Sequence, residues 1–110
     1  MLEPMDAHRL AEQRSLAYHR VVAERLRSDG RVLPVARARV TEWLAEGRST
    51  HYARQWERLL AGPLDVLCEA LVADSEEGRA RRQATPFAGA LDPRERWRIW
   101  QTERERAEGR

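Results

Sequence analysis

The sequence predicts an all-α protein, a compact bundle of five or six short helices with a charged C-terminal helix. Three observations carry this. Apolar residues recur every three or four positions, the spacing that gathers them on one face of a helix. Asp29-Gly30, Gly47 and Gly62-Pro63 interrupt those runs where a helix has to end. No alternating apolar–polar run flanks a hairpin turn, since Asp29-Gly30 lies between two helical stretches.

Each element has its own signals. Asp6 is the expected cap of a first helix that runs to about Ser28, with Leu16, His19, Val22, Ala23 and Leu26 inward and Arg9, Arg20 and Arg27 outward. Pro34 allows a second start, and Ala36, Val40, Trp43 and Leu44 make a stripe that ends at Gly47. Ser49 or Thr50 caps a third helix with Tyr52, Trp56, Leu59 and Leu60 inward. Pro63 suits the first turn of a fourth, built on Leu64, Leu67, Cys68, Leu71 and Val72. Ser75-Glu76-Glu77 opens a short fifth segment through about Ala84, where two acids favour a helix N-terminus. Asp92-Pro93-Arg94-Glu95 combines a cap, a first-turn proline and an acid at the third position, and so opens the last helix. From 103 to 110 only Ala107 and Gly109 interrupt a run of Glu and Arg, so that segment is expected to fray or project.

Composition bounds the function. At 110 residues the chain predicts a single domain. All 20 basic residues are Arg, and the bias is spread over the whole chain, which marks GC-rich coding rather than a site. The net charge is +2, with an acidic stretch at 63–78 between two basic ones. That is short of the dense basic face of a nucleic-acid binder. One cysteine, Cys68, excludes an internal disulfide and fits a reducing compartment. There is no apolar run of membrane-spanning length and no apolar signal core. A bacterial cytoplasmic protein is the expectation.

No metal-ligand spacing is present, because His8, His19 and His51 are too far apart and no Cys-x-x-Cys exists. Nothing calls for a cofactor, and no nucleophile or phosphate-loop motif stands out. One pattern has catalytic form. Arg14-Ser15-Leu16-Ala17-Tyr18-His19 resembles the Arg-x4-His signature of the HEPN ribonucleases, in which His is the acid–base and Arg holds the phosphate. Here it falls in the first helix, whereas that family carries it late. A second pattern is structural: the pair at 35–61 has the outline of a helix-turn-helix, which would present Arg37, Arg39, Arg48, Arg54 and Arg58 to nucleic acid. A helical hairpin within a bundle explains the same residues.

The aromatics divide. Trp43 and Trp56 lie on core stripes, while Trp97 and Trp100 sit on a polar helix beside the apolar stretch Pro86 to Leu91, which holds the one Phe, Phe87. This cluster either closes the bundle or docks a partner. Arg82-Gln83-Ala84-Thr85-Pro86-Phe87-Ala88-Gly89-Ala90-Leu91, preceded by Arg14 to Arg20 ("RSLAYHR"), with Trp43 and Trp56 to Leu60 between, resembles a group of small bacterial helical proteins. These read RSLAxHR and RQx(S/T)PFAGxL, and the similarity covers most of residues 12–100; Ala90 stands where the pattern has Val.

The resemblance implies an antitoxin-like partner of a nucleotidyltransferase-type toxin encoded by a neighbouring gene. It also implies one loop surface made by Arg82, Gln83, Pro86, Phe87, Ala88 and Gly89, with Phe87 as a plug into its own bundle or into the partner. The expected function is therefore a non-enzymatic protein-interaction module. Pro86, Phe87, Trp97 and Trp100 would dock, and Arg82, Arg94, Arg96 and Arg98 would pair with acids. Nucleic-acid binding and HEPN-like ribonuclease activity are the alternatives, and a homodimer is compatible with all three.

Overall fold

The computed structural model describes residues 4–109, and among these the regular elements are six helices with no strand. The first helix, α1 (Pro4–Ser28), is about 37 Å long at the usual rise per residue and forms the spine of the molecule. It begins at Pro4, so Asp6 lies inside its first turn rather than capping it; proline's fixed φ suits that opening position. His19, Val22, Ala23 and Leu26 are buried along it, as are Tyr18 and Leu10.

Helix α2 (Val32–Glu46) starts ahead of Pro34, which is tolerated in the first turn because an N–H there has no partner within the helix. It packs against α3 (Thr50–Ala61) as a hairpin. The turn closes when the Gly47 and Arg48 N–H groups donate to the Leu44 and Trp43 carbonyls. Ser49 takes the cap position of α3 but in a left-handed conformation, φ 46°, with no side-chain cap bond. Helix α4 (Leu64–Leu71) takes Pro63 as its cap residue, one position earlier than expected. Leu67, Cys68 and Leu71 face the core, and the Cys68 thiol donates to the Ala23 carbonyl.

In α5 (Glu76–Gln83) the Ser75 hydroxyl caps by accepting from the Gly78 N–H at 3.0 Å. A Cβ on Gly78 would lie 2.5 Å from the Ala73 carbonyl oxygen. Inside a helix Gly→Ala ordinarily stabilises by about 1 kcal/mol. Here the collision is with backbone, and overpacking of that kind costs about 1–3 kcal/mol. Gly78→Ala is therefore expected to destabilise, and urea denaturation of the variant checks the sign.

The last helix, α6 (Pro93–Glu108), opens with the full capping box, Asp92 accepting from the Glu95 N–H and Glu95 reaching back to the Asp92 N–H. It lies along α1. Arg25 pairs with Glu95, and Tyr18 meets Trp100 edge to face, so the two helices are antiparallel. Through the segment expected to fray or project, the helix continues to Glu108, and Glu103 is buried with its carboxylate accepting from Arg106 at 3.2 Å.

The core is one cluster in which α1, α2, α3, α4 and the 84–92 loop all contribute. Trp56 sits in it fully buried. Among the described residues no helix is long and apolar enough to cross a membrane.

Candidate functional site

The loop between α5 and α6 is built from its own sequence. Phe87 to Ala90 form a turn closed by the Ala90 N–H on the Phe87 carbonyl at 3.0 Å. Gly89 takes φ +82° at its third position, where a residue with a Cβ is strained. Thr85 follows the end of α5 and leads into the turn, its hydroxyl accepting the Phe87 N–H at 3.0 Å.

Four side chains from elsewhere hold this loop. Tyr18 donates its hydroxyl to the Phe87 carbonyl at 2.7 Å and accepts the Leu91 N–H at 3.4 Å. Arg39 donates to the Pro86 and Ala88 carbonyls. Trp56 meets the Phe87 ring edge to face, centroids 5.9 Å apart. His19 supplies the fourth contact. Its Nδ1 is 2.7 Å from the Ser15 carbonyl, which can only accept, so Nδ1 carries the proton. Nε2 then accepts from the Thr85 hydroxyl at 2.8 Å. Burial, reinforced by the charge on Arg82, holds the His19 pKa down to about 4, against the opposing pull of the Ser15 carbonyl.

The candidate residues separate accordingly. Phe87 and Pro86 are plugs into their own bundle and not surface groups. Arg82 is also buried, donating to the Leu71 and Ala73 carbonyls at the end of α4. Of the two placements the sequence left open for Phe87, the structure has the plug into its own bundle, so Phe87, Pro86 and Arg82 are not surface groups of the free chain. Gln83, Ala88 and Gly89 are exposed. Trp100 is half-buried against Tyr18, with the Arg14 guanidinium 5.9 Å from its ring centre. Trp97 is 62% exposed.

Arg14 and His19 do not present a free acid–base pair, because both imidazole nitrogens are engaged. Three of the five arginines of the helix pair have partners within the chain. Arg37 donates to the Leu60 carbonyl, Arg39 to the loop, and Arg48 pairs with Glu46. Arg54 and Arg58 remain exposed on α3. Among the described residues no three metal-ligating side chains converge.

Sequence reading missed Tyr18 and Arg39 as loop clamps. Tyr18 lies within "RSLAYHR" and was accessible from that motif; nothing near Arg39 in sequence points to residue 86 or 88. The loop tip also separates two clefts. One, of about 340 Å³, opens toward Val32 and Val35 of α2. The other, of about 230 Å³, lies between α1, the loop and α6. No family model, curated protein or solved structure matches the chain.

Proposed function

We propose that the chain is a non-enzymatic, antitoxin-like interaction module that binds and restrains a toxin encoded beside it. One observation supports this above the others. Trp97 is 62% exposed on α6, between Arg96 and Arg98 and one turn from Arg94. The ion pairs of α6 are Glu95 with Arg25, Arg104 with Glu108 and Arg106 with Glu103. Arg94, Arg96 and Arg98 have no such partner among the described residues. An indole in water amid guanidiniums outside any close ion pair has the composition of a binding hot spot, where Trp and Arg dominate and the partner supplies a pocket with an acidic rim.

The buried loop acts from beneath. Phe87, Pro86 and Arg82 fix the frame on which α6 presents Trp97, and the partner meets α6 and the Ala88-Gly89 tip. The function reads as steric restraint in the cytoplasm, where the toxin would act.

The test is growth of a host expressing the neighbouring gene alone, this protein alone, and both. Rescue by co-expression, with a complex that co-purifies, is the expected result. Trp97→Ala is expected to keep its thermal midpoint and to weaken the complex by about 2 kcal/mol or more, roughly thirtyfold. A folded Trp97→Glu variant that still rescues and co-purifies would overturn the reading.

A further inference from the structure

Arg82 is buried, 4% exposed, and its hydrogen bonds go to two carbonyl oxygens. No carboxylate lies within ion-pair reach of it among the described residues. Carbonyl dipoles orient a guanidinium but do not neutralise it, so a buried cation without a counter-ion is unfavourable. Desolvation, and then the nearby Arg79 charge, push its pKa down, against smaller opposing pulls from Asp74 and Glu12. An anion arriving from outside would supply the counter-ion.

Arg82 borders two adjoining clefts. The smaller, about 100 Å³, is also lined by His8 and Glu12, which pair with each other at 3.1 Å. The larger, about 230 Å³, has Arg82 and Arg96 as its charged lining, and no described carboxylate borders it. Its walls include Ala11, Tyr18, Ala88 and Trp100. His19 also borders this cleft but offers no donor, since its one N–H goes to Ser15 and its other nitrogen accepts from Thr85.

We propose that the cleft between α1, the 84–92 loop and α6 binds a carboxylate carried on an apolar or aromatic body. Arg82 meets it at the buried end and Arg96 at the rim. Guanidinium forks match a planar carboxylate. Two cations in a cleft whose other walls mix Ala11, Tyr18, Ala88 and Trp100 with Ser15 and Thr85 suit a monoanion better than a strongly hydrated phosphate dianion. The carboxylate can be a free organic acid or the C-terminal carboxylate of a protein. The site stands on the burial of Arg82 and the lining of the cleft, independently of the toxin-binding reading.

Benzoate, its neutral isostere benzamide, and a short peptide ending in phenylalanine with a free carboxylate are titrated into the labelled full chain by NMR. Saturable shifts of the Trp100 indole N–H and the Ala88 and Gly89 amides with benzoate, and not with benzamide, are expected. Arg96→Ala, on the surface and harmless to the fold, should weaken binding about tenfold, and Arg20→Ala, on the exposed side of α1, by less than about twofold. Tighter binding of the peptide than of benzoate supports a protein terminus as the source; the reverse supports a free acid. Benzamide shifting the same signals equally, an Arg96→Ala titration like the parent's, or no saturable shift with either acid would overturn the proposal.

Discussion

Phe87→Ala is expected to lower the free energy of unfolding by about 3–5 kcal/mol, the cost of emptying a buried aromatic site. Phe87 is 1% exposed and its ring packs on Trp56, itself fully buried. Removing it leaves a void beneath the 84–92 turn and exposes one face of the largest side chain in the core. Collapse is hindered because the backbone around the void is held by Tyr18, Arg39 and Thr85. Small domains have about 5–15 kcal/mol of stability in all, so a large fraction would disappear. Urea denaturation measures it through the midpoint. Phe87→Leu, which keeps most of the volume, should lose less. A folded Phe87→Ala protein within 1 kcal/mol of the parent that no longer bound a partner would show that the ring acts at an interface instead.

Acidification is the second large effect. His19 is neutral in the fold, with its pKa held down to about 4, while in the unfolded chain it titrates near the ordinary histidine value of 6.5. Between those values the unfolded state binds a proton that the native state refuses. Stability is therefore fully present above pH 6.5, falls as pH drops toward 4, and loses nothing further from this residue below that. At about 1.4 kcal/mol per pKa unit the contribution is on the order of 3 kcal/mol. The physical event is the conversion of Nε2 from acceptor to donor, which breaks the bond from Thr85 and loosens the turn that Phe87 anchors. Thermal midpoints measured from pH 7 to pH 4 should fall more steeply for the parent than for His19→Gln, which has nothing to titrate at that position. Parallel curves for the two proteins would remove His19 as the cause.

The elements were legible because their signals are local. The Asp92 to Glu95 capping box, the Ser75 cap and the breaks at Gly47 and Gly62 depend on residues a few positions apart. The stripes of α1 to α4 carried the core for the same reason, since the 3.6-residue period alone places Val22, Val40, Trp56 and Leu71 inward. The first helix shows the limit: Asp6 is a good cap by type, yet the helix begins earlier.

The site was legible only in part. "RRQATPFAGAL" stood out in the chain, but composition could not say whether Phe87 faced inward or outward. That depended on Trp56 and Tyr18, which lie far from it in sequence. Charge misled most. Arg82 and Glu103 look like surface residues by type and are both buried, one held by the open carbonyls at the end of α4 and the other paired with Arg106 on its own helix. Trp97 and Trp100, three residues apart and alike in sequence, part company: Trp100 meets Tyr18 and Trp97 meets water.

Sequence by itself determined that this chain is helical, where its helices break and which stripe of the first four faces the core, because periodicity and capping act over a few residues. Tertiary structure alone decided that the 84–92 loop is a core plug held by His19, Tyr18 and Arg39, and that Trp97 of α6 stays exposed while Trp100 is half-buried. Burial and ion pairing are settled between segments distant in the chain, and no local pattern encodes which segments meet.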